Sequence, residues 1–155
     1  MPHFGLIDEE KLGPIQGPLM RSRLHIRGGR RRIISGDIAN GILALYDALT
    51  SAMDFHLASH PELRDRLIGA GEDILADRNI FLAFQKLGII PGDLEWQELD
   101  FAVQMALERN MGDYDWRKLM GKLEACYIRL EAAPFDEGAL PAFKPEPFLS
   151  AKNKP

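Results

Sequence analysis

The chain has a single cysteine, Cys126, among 155 residues. One thiol excludes an internal disulfide framework and suits a reducing compartment. A long uncharged apolar run is also missing: the most apolar stretch, residues 38–57, carries Asp47 and Asp54, which makes it a poor membrane span. The opening MPHFGLIDEEKLG has no basic segment leading into an apolar one, so no secretory signal is expected and the expected setting is cytoplasmic. No nucleophile elbow or phosphate-cradling loop occurs, since Gly28-Gly29 is a glycine pair with no Lys-Ser/Thr after it. Two patterns of helical hydrolases are incomplete as well. Glu95 and Glu98 are followed by no Glu-x-x-Asp, and neither Arg78-Asn79 nor Arg109-Asn110 leads to a histidine at the needed spacing.

The remainder is ordinary for one globular domain, with 46% hydrophobic and 27% charged residues. The net charge of −4 hides an asymmetry. Six of the 19 basic residues are Arg21, Arg23, Arg27, Arg30, Arg31 and Arg32, and taking those six charges away leaves the rest of the chain at −10.

Residues 38–57 organise everything else. At 100° per residue Ile38, Ile42, Leu45, Leu49, Ala52, Met53 and His56 share one broad face, and only Asn40, Asp47, Ser51 and Asp54 form a polar wedge. A helix apolar around so much of its circumference must be wrapped by others. Ser35 or Asp37 caps its start, and Pro61 ends it near Ser59-His60 and opens the next helix. Gly41, Ala44 and Ala48 make a narrow stripe where another backbone can come close. Further helices are expected from Pro61, over residues 72–88 with Gly88 as terminator, from Asp93, and from Asp113 or Asp115. The last of these carries Leu119, Leu123, Cys126, Tyr127 and Leu130 in a 3-4 rhythm, which places Cys126 on a buried seam where its thiol is inert.

The expected fold is therefore all-α, a bundle of four to five helices around a central helix at about 35–59. It forms a single domain over 1–155: an N-terminal arm with the basic segment (1–34), a helical core (35–132) and a proline-rich strap (133–155). Residues 1–20 hold too many glycines and prolines for a helix. In 20–27 apolar or small residues alternate with Arg21, Arg23, His25 and Arg27, the period-2 pattern of a strand, and Gly28-Gly29 offers a primed turn. That stretch is expected as a short strand or arm, and it also admits a β-hairpin over 20–34.

No catalytic set, cofactor or metal is expected. The arginine cluster either pairs with the excess carboxylates or binds an anion through bidentate guanidiniums, and its only candidate site residues are the six arginines. His56 and His60 stand at i, i+4 spacing with Asp54 and Glu62 nearby, but a core histidine is the better reading of His56. The functional expectation is a non-enzymatic helical scaffold or interaction protein that self-associates, as a homodimer, or meets a protein partner. RNA or another phosphate-bearing ligand on Arg21–Arg32 is the alternative, and a metal-dependent hydrolase using His56 the third. No membrane partner is expected.

Overall fold

The computed structural model describes residues 6–142, and among them the chain is all helical. Six helices follow in order: α1 (Glu9–Ile34), α2 (Ile38–Ser59), α3 (Pro61–Gly69), α4 (Asp77–Lys86), α5 (Trp96–Leu107) and α6 (Trp116–Arg129), with a 3₁₀ turn at Glu137–Ala139. None is long and apolar enough to cross a membrane. The expected central helix is α2, which packs against each of the other five. Leu45, Ala48, Leu49, Ala52 and Met53 are wholly buried along it.

The β-hairpin over 20–34 is not formed. Those residues belong to α1, and the reason lies in a second period hidden under the alternation. Leu19, Ser22, Ile26, Gly29 and Ile33 recur at three- and four-residue steps and are all buried. The glycine pair is not a turn either. A Cβ on Gly29 would sit 2.8 Å from Leu45 Cγ and 3.1 Å from the Gly41 carbonyl oxygen, and a Cβ on Gly41 would sit 2.4 Å from Ile33 Cγ1. Gly29 thus lets α1 lie directly on the Gly41–Ala48 stripe of α2, and the Ser22 hydroxyl donates to the Ala48 carbonyl at 2.8 Å. The close approach expected of that stripe is made within the chain.

Helix also begins earlier than the breakers suggest. Asp8 caps it by accepting from the Lys11 N–H, and Glu9 and Glu10 suit the positive end of the dipole. Gly13 then interrupts the spiral at φ 87°, ψ −179°, so Pro14 begins a second helical segment, where its missing N–H costs nothing.

Elsewhere local signals act as expected. Asp37 caps α2 through the Asn40 N–H, Pro61 opens α3, Gly88 takes φ 73° after α4, and Asp115 precedes α6. The start of α4 differs from the expected residue 72: it begins at Asp77, because Gly71 takes φ 83° and the Leu75 N–H donates to Asp73 Oδ1, which makes a turn of that stretch. The start of α5 differs too. It begins at Trp96 rather than after Asp93, because the Gln85 amide donates to the carbonyls of Pro91 (3.0 Å) and Leu94 (2.6 Å) and holds that loop extended. Of the strap, residues up to 142 are described: Ala133 and Leu140 are buried and Phe135 half-buried. The apolar residues that recur along the two arms and suit them to docking include Phe4, Phe143, Phe148 and Leu149, which lie outside the described residues.

Candidate functional site

Winding residues 20–34 into a helix places the six arginines around α1 instead of along one face of a strand. Arg21 turns toward the α2 wedge. Its Nε donates to Ser51 Oγ at 2.9 Å, Nη1 to Glu9 Oε1 at 2.8 Å and Nη2 to Asp54 Oδ2 at 3.1 Å. The Ser51 hydroxyl in turn donates to the Asp47 carbonyl at 2.8 Å, and Asn40 Nδ2 donates to Asp37 Oδ2. The polar wedge is therefore engaged from within the chain at Asn40, Ser51 and Asp54, with about half of the Asp54 side chain left in water. Desolvation still raises the carboxyls of Asp47, Asp54 and Asp77 above their ordinary range; Arg21 opposes this at Asp47 and Asp54, where the negative Asp77 adds to it. Beside them the Tyr46 phenol is pushed up to about 12 by burial and by Asp77, to which it donates a long hydrogen bond of 3.5 Å.

Arg23, Arg27 and Arg30 follow one another along α1 near the strap. Arg23 Nε donates to the Ala132 carbonyl at 3.1 Å, and Arg30 grips Glu124 through Nε (2.9 Å) and Nη2 (2.7 and 2.8 Å). Both guanidiniums stand over the Phe135 ring, at 5.5 and 5.9 Å from its centre, a cation–π arrangement. Arg27, between them in sequence, keeps only 3% of its surface in water. Desolvation and then Arg31 lower its pKa, and Glu137 opposes them. Arg31 is exposed and Arg32 half-buried in the last turn of α1, where positive charge suits the dipole. Arg32 Nη1 is buried without a hydrogen-bond partner. The structure thus spreads the six arginines over several environments, and the guanidiniums of Arg21, Arg23 and Arg30 each donate to this chain's own oxygens.

His56 is half-buried and held by rings. It stacks on His60 at 4.2 Å and meets Phe84 edge-on at 5.3 Å, while His60 Nδ1 donates to the His56 carbonyl. Desolvation, then the nearby His60, lowers its pKa. A histidine whose folded pKa lies below its ordinary 6.5 contributes stability above that value, and loses it as pH falls through the lowered pKa. The melting temperature of His56→Phe is therefore expected to fall less steeply than that of the wild type between about pH 7 and about pH 5. The raised carboxyls of Asp47, Asp54 and Asp77 work in the opposite direction, but they are common to both proteins and cancel in the comparison. Thermal melts across that range make the test, and parallel curves would refute it. Among the described residues no three His, Cys, Asp or Glu side chains come together to hold a metal ion. Cys126 is buried, and burial pushes its thiol up to about 12, which leaves no thiolate near neutral pH.

One surface feature escaped the sequence reading. A cleft of about 520 Å³ is lined by Arg78 of α4 and by Trp96, Gln97, Asp100, Phe101 and Gln104 of α5. Trp96 is a fixed wall, 5.4 Å from the Phe81 ring and edge-on to Tyr46 at 6.3 Å. Phe101 is 60% exposed and Leu107 59%. Phe101 stands off the Trp96–Leu99–Val103 seam, so a helical wheel of α5 shows it facing outward; Leu107, which the spacing offers as an alternative to Ala106 at the end of that seam, is exposed because Ala106 takes the buried place. A second cleft, of about 470 Å³, lies among Pro14, Leu57, Pro61 and Ile74, with Asp54 and Arg64 also lining it.

Comparison with protein-family models, with curated proteins and with solved structures finds no match to this chain.

Proposed function

We propose that this protein is a non-enzymatic helical interaction protein that works as an assembly with a second copy of itself. The observation that carries this reading is Phe101 of α5, which keeps 60% of its surface in water in the cleft beside Trp96. A large aromatic side chain left in water beside a fixed tryptophan is the composition of an interface centre. The inward pairing of Arg21, Arg23 and Arg30 supports the same reading, because it removes those guanidiniums from duty toward an outside ligand. Sedimentation velocity tests it. A species of two chains should dominate at micromolar concentration and dissociate on dilution, whereas a single chain throughout the micromolar range ends the reading.

The alternative, RNA or another phosphate-bearing ligand on Arg21–Arg32, is favoured by one observation. The buried Nη1 of Arg32, at the end of α1, has a donor without an acceptor. A labelled RNA oligonucleotide titrated at low salt decides it. Binding through these arginines must weaken steeply as salt rises, and no binding at low ionic strength removes it.

A further inference from the structure

Arg27 is the only aspartate, glutamate, lysine or arginine that is buried among the described residues, with 3% of its surface in water. That burial sets it apart from the other charges of the chain. An exposed charge with no ion partner is solvated by water, whereas a buried one has lost that solvation and needs an opposite charge and acceptors in its place. Arg27 has neither: among the described residues no hydrogen bond and no ion pair reaches it, although Arg30, three residues on, has both. Its surroundings add to the deficit. Arg31 stands one turn on along the same face, and its positive charge acts against the Arg27 cation. Glu137 of the 3₁₀ turn is the carboxylate that acts in its favour, and it lies beyond ion-pair distance. No nitrogen of Arg27 is among the atoms sealed from water without an acceptor, so its guanidinium still reaches the surface, the end that a ligand must meet.

We infer that Arg27 binds the phosphate group of a small ligand, with Arg31 supplying the second positive charge, on the face of α1 that Glu137 borders. The inference rests on the phosphate-ligand alternative above, narrows its six arginines to two, and departs from it in the size of the ligand. A guanidinium fork matches two oxygens of a tetrahedral oxyanion through parallel N–H donors. Cations one helical turn apart, with Cβ atoms about 5–6 Å from each other, together balance the charge of about −1.5 to −2 that a phosphate monoester carries near neutral pH. A single carboxylate would balance half of it. The small remaining opening suits a phosphate at the end of a small molecule. The phosphates of RNA carry one charge each and have a sugar on either side, so they fit such an opening poorly.

Isothermal titration of the full chain with inorganic phosphate, at an ionic strength held constant with sodium chloride, tests the assignment, and circular dichroism confirms that each variant is folded. The wild type is expected to bind phosphate in the millimolar range or below, and to melt a few degrees higher when phosphate replaces chloride. Arg27→Met keeps the buried stem without the charge. It should lose the binding and the shift, and in phosphate-free buffer it should melt at or above the wild type, because an unbalanced buried cation has gone. Glu137→Gln should bind phosphate several-fold more tightly, because a negative charge near the ligand is removed. A wild type that takes no phosphate in the millimolar range, or an Arg27→Met that binds as the wild type does, overturns the site. Arg27→Met and Glu137→Gln both melting well below the wild type in phosphate-free buffer would make Glu137 the counter-charge, which overturns it as well. Labelled RNA at low salt separates the two readings. RNA that binds and is displaced by phosphate overturns the small-ligand assignment while the alternative above stands. RNA that fails to bind a chain that takes phosphate removes RNA and supports this site.

Discussion

Tyr127→Ala is expected to lower the stability of the fold by about 3–5 kcal/mol, the range for removing a large buried ring, and Tyr127→Phe by only about 0.5–1.5 kcal/mol. Tyr127 is wholly buried on α6, and its hydroxyl donates to the Leu45 carbonyl of α2 at 2.5 Å, across 82 residues of sequence. The ring fills the space where α6 meets the middle of α2, so alanine leaves a cavity that the surrounding helices close only in part. Phenylalanine keeps the ring and loses one hydrogen bond. Because the Leu45 carbonyl lies in the interior of a helix, the helix still engages it, which holds the cost near the lower end. Burial raises the phenol well above its ordinary 10, so the neutral donor persists throughout the accessible pH range. Urea unfolding of the three proteins gives the comparison. Equal losses for the two variants would show that the hydrogen bond, not the ring, is what joins α6 to α2.

Gly41→Ala should destabilise by about 1–3 kcal/mol, whereas Gly121→Ala should stabilise by about 0.5–1 kcal/mol. The two substitutions are chemically the same and both fall inside helices, where alanine is favoured over glycine. They differ in what a methyl group would meet. At Gly41 it lands 2.4 Å from Ile33 Cγ1 and 3.1 Å from the Gly29 carbonyl oxygen, and the latter is backbone that can retreat only if α1 moves away from α2. At Gly121 nothing lies within 4 Å. The overlap at Gly41 exceeds the gain in helix propensity, so the sign reverses. Thermal melts of both variants settle the matter. A stabilised Gly41→Ala would mean that α1 and α2 are not in backbone contact at that point.

The parts of this fold that could be read from the sequence are those fixed by neighbours in the chain. The bounds of α2 followed from Asp37 and Pro61, the end of α4 from Gly88, and the burial of Cys126 from its place among Leu119, Leu123 and Leu130. Helix α1 was harder because its residues satisfy two periods at once. The alternation of 20–27 is genuine, and only the presence of Gly41 opposite Gly29 makes the three-and-four spacing the winning one. The arginines were legible as a cluster but not in their roles. Their partners stand 12, 33, 94 and 109 residues away, at Glu9, Asp54, Glu124 and Ala132, and no local pattern announces such distances. The α4–α5 cleft was missed for a different reason. Phe101 was within reach of a helical wheel, but an outward aromatic gains meaning only when Trp96, Arg78 and Asp100 are placed beside it.

The docking of Arg23 and Arg30 under Phe135 has a consequence for how the molecule is made. Helix α1 is synthesised well before its cover, since the carboxylate of Glu124, the carbonyl of Ala132 and the ring of Phe135 emerge roughly a hundred residues later. At about 5–20 residues per second, the ribosome leaves that helix without its final cover for roughly 5–20 s. Throughout that interval a cationic, half-apolar helix stands beside a highly negative polymer, ribosomal RNA, as the nascent chain lengthens. The cover of that helix is completed late, and contacts of such long sequence separation slow folding.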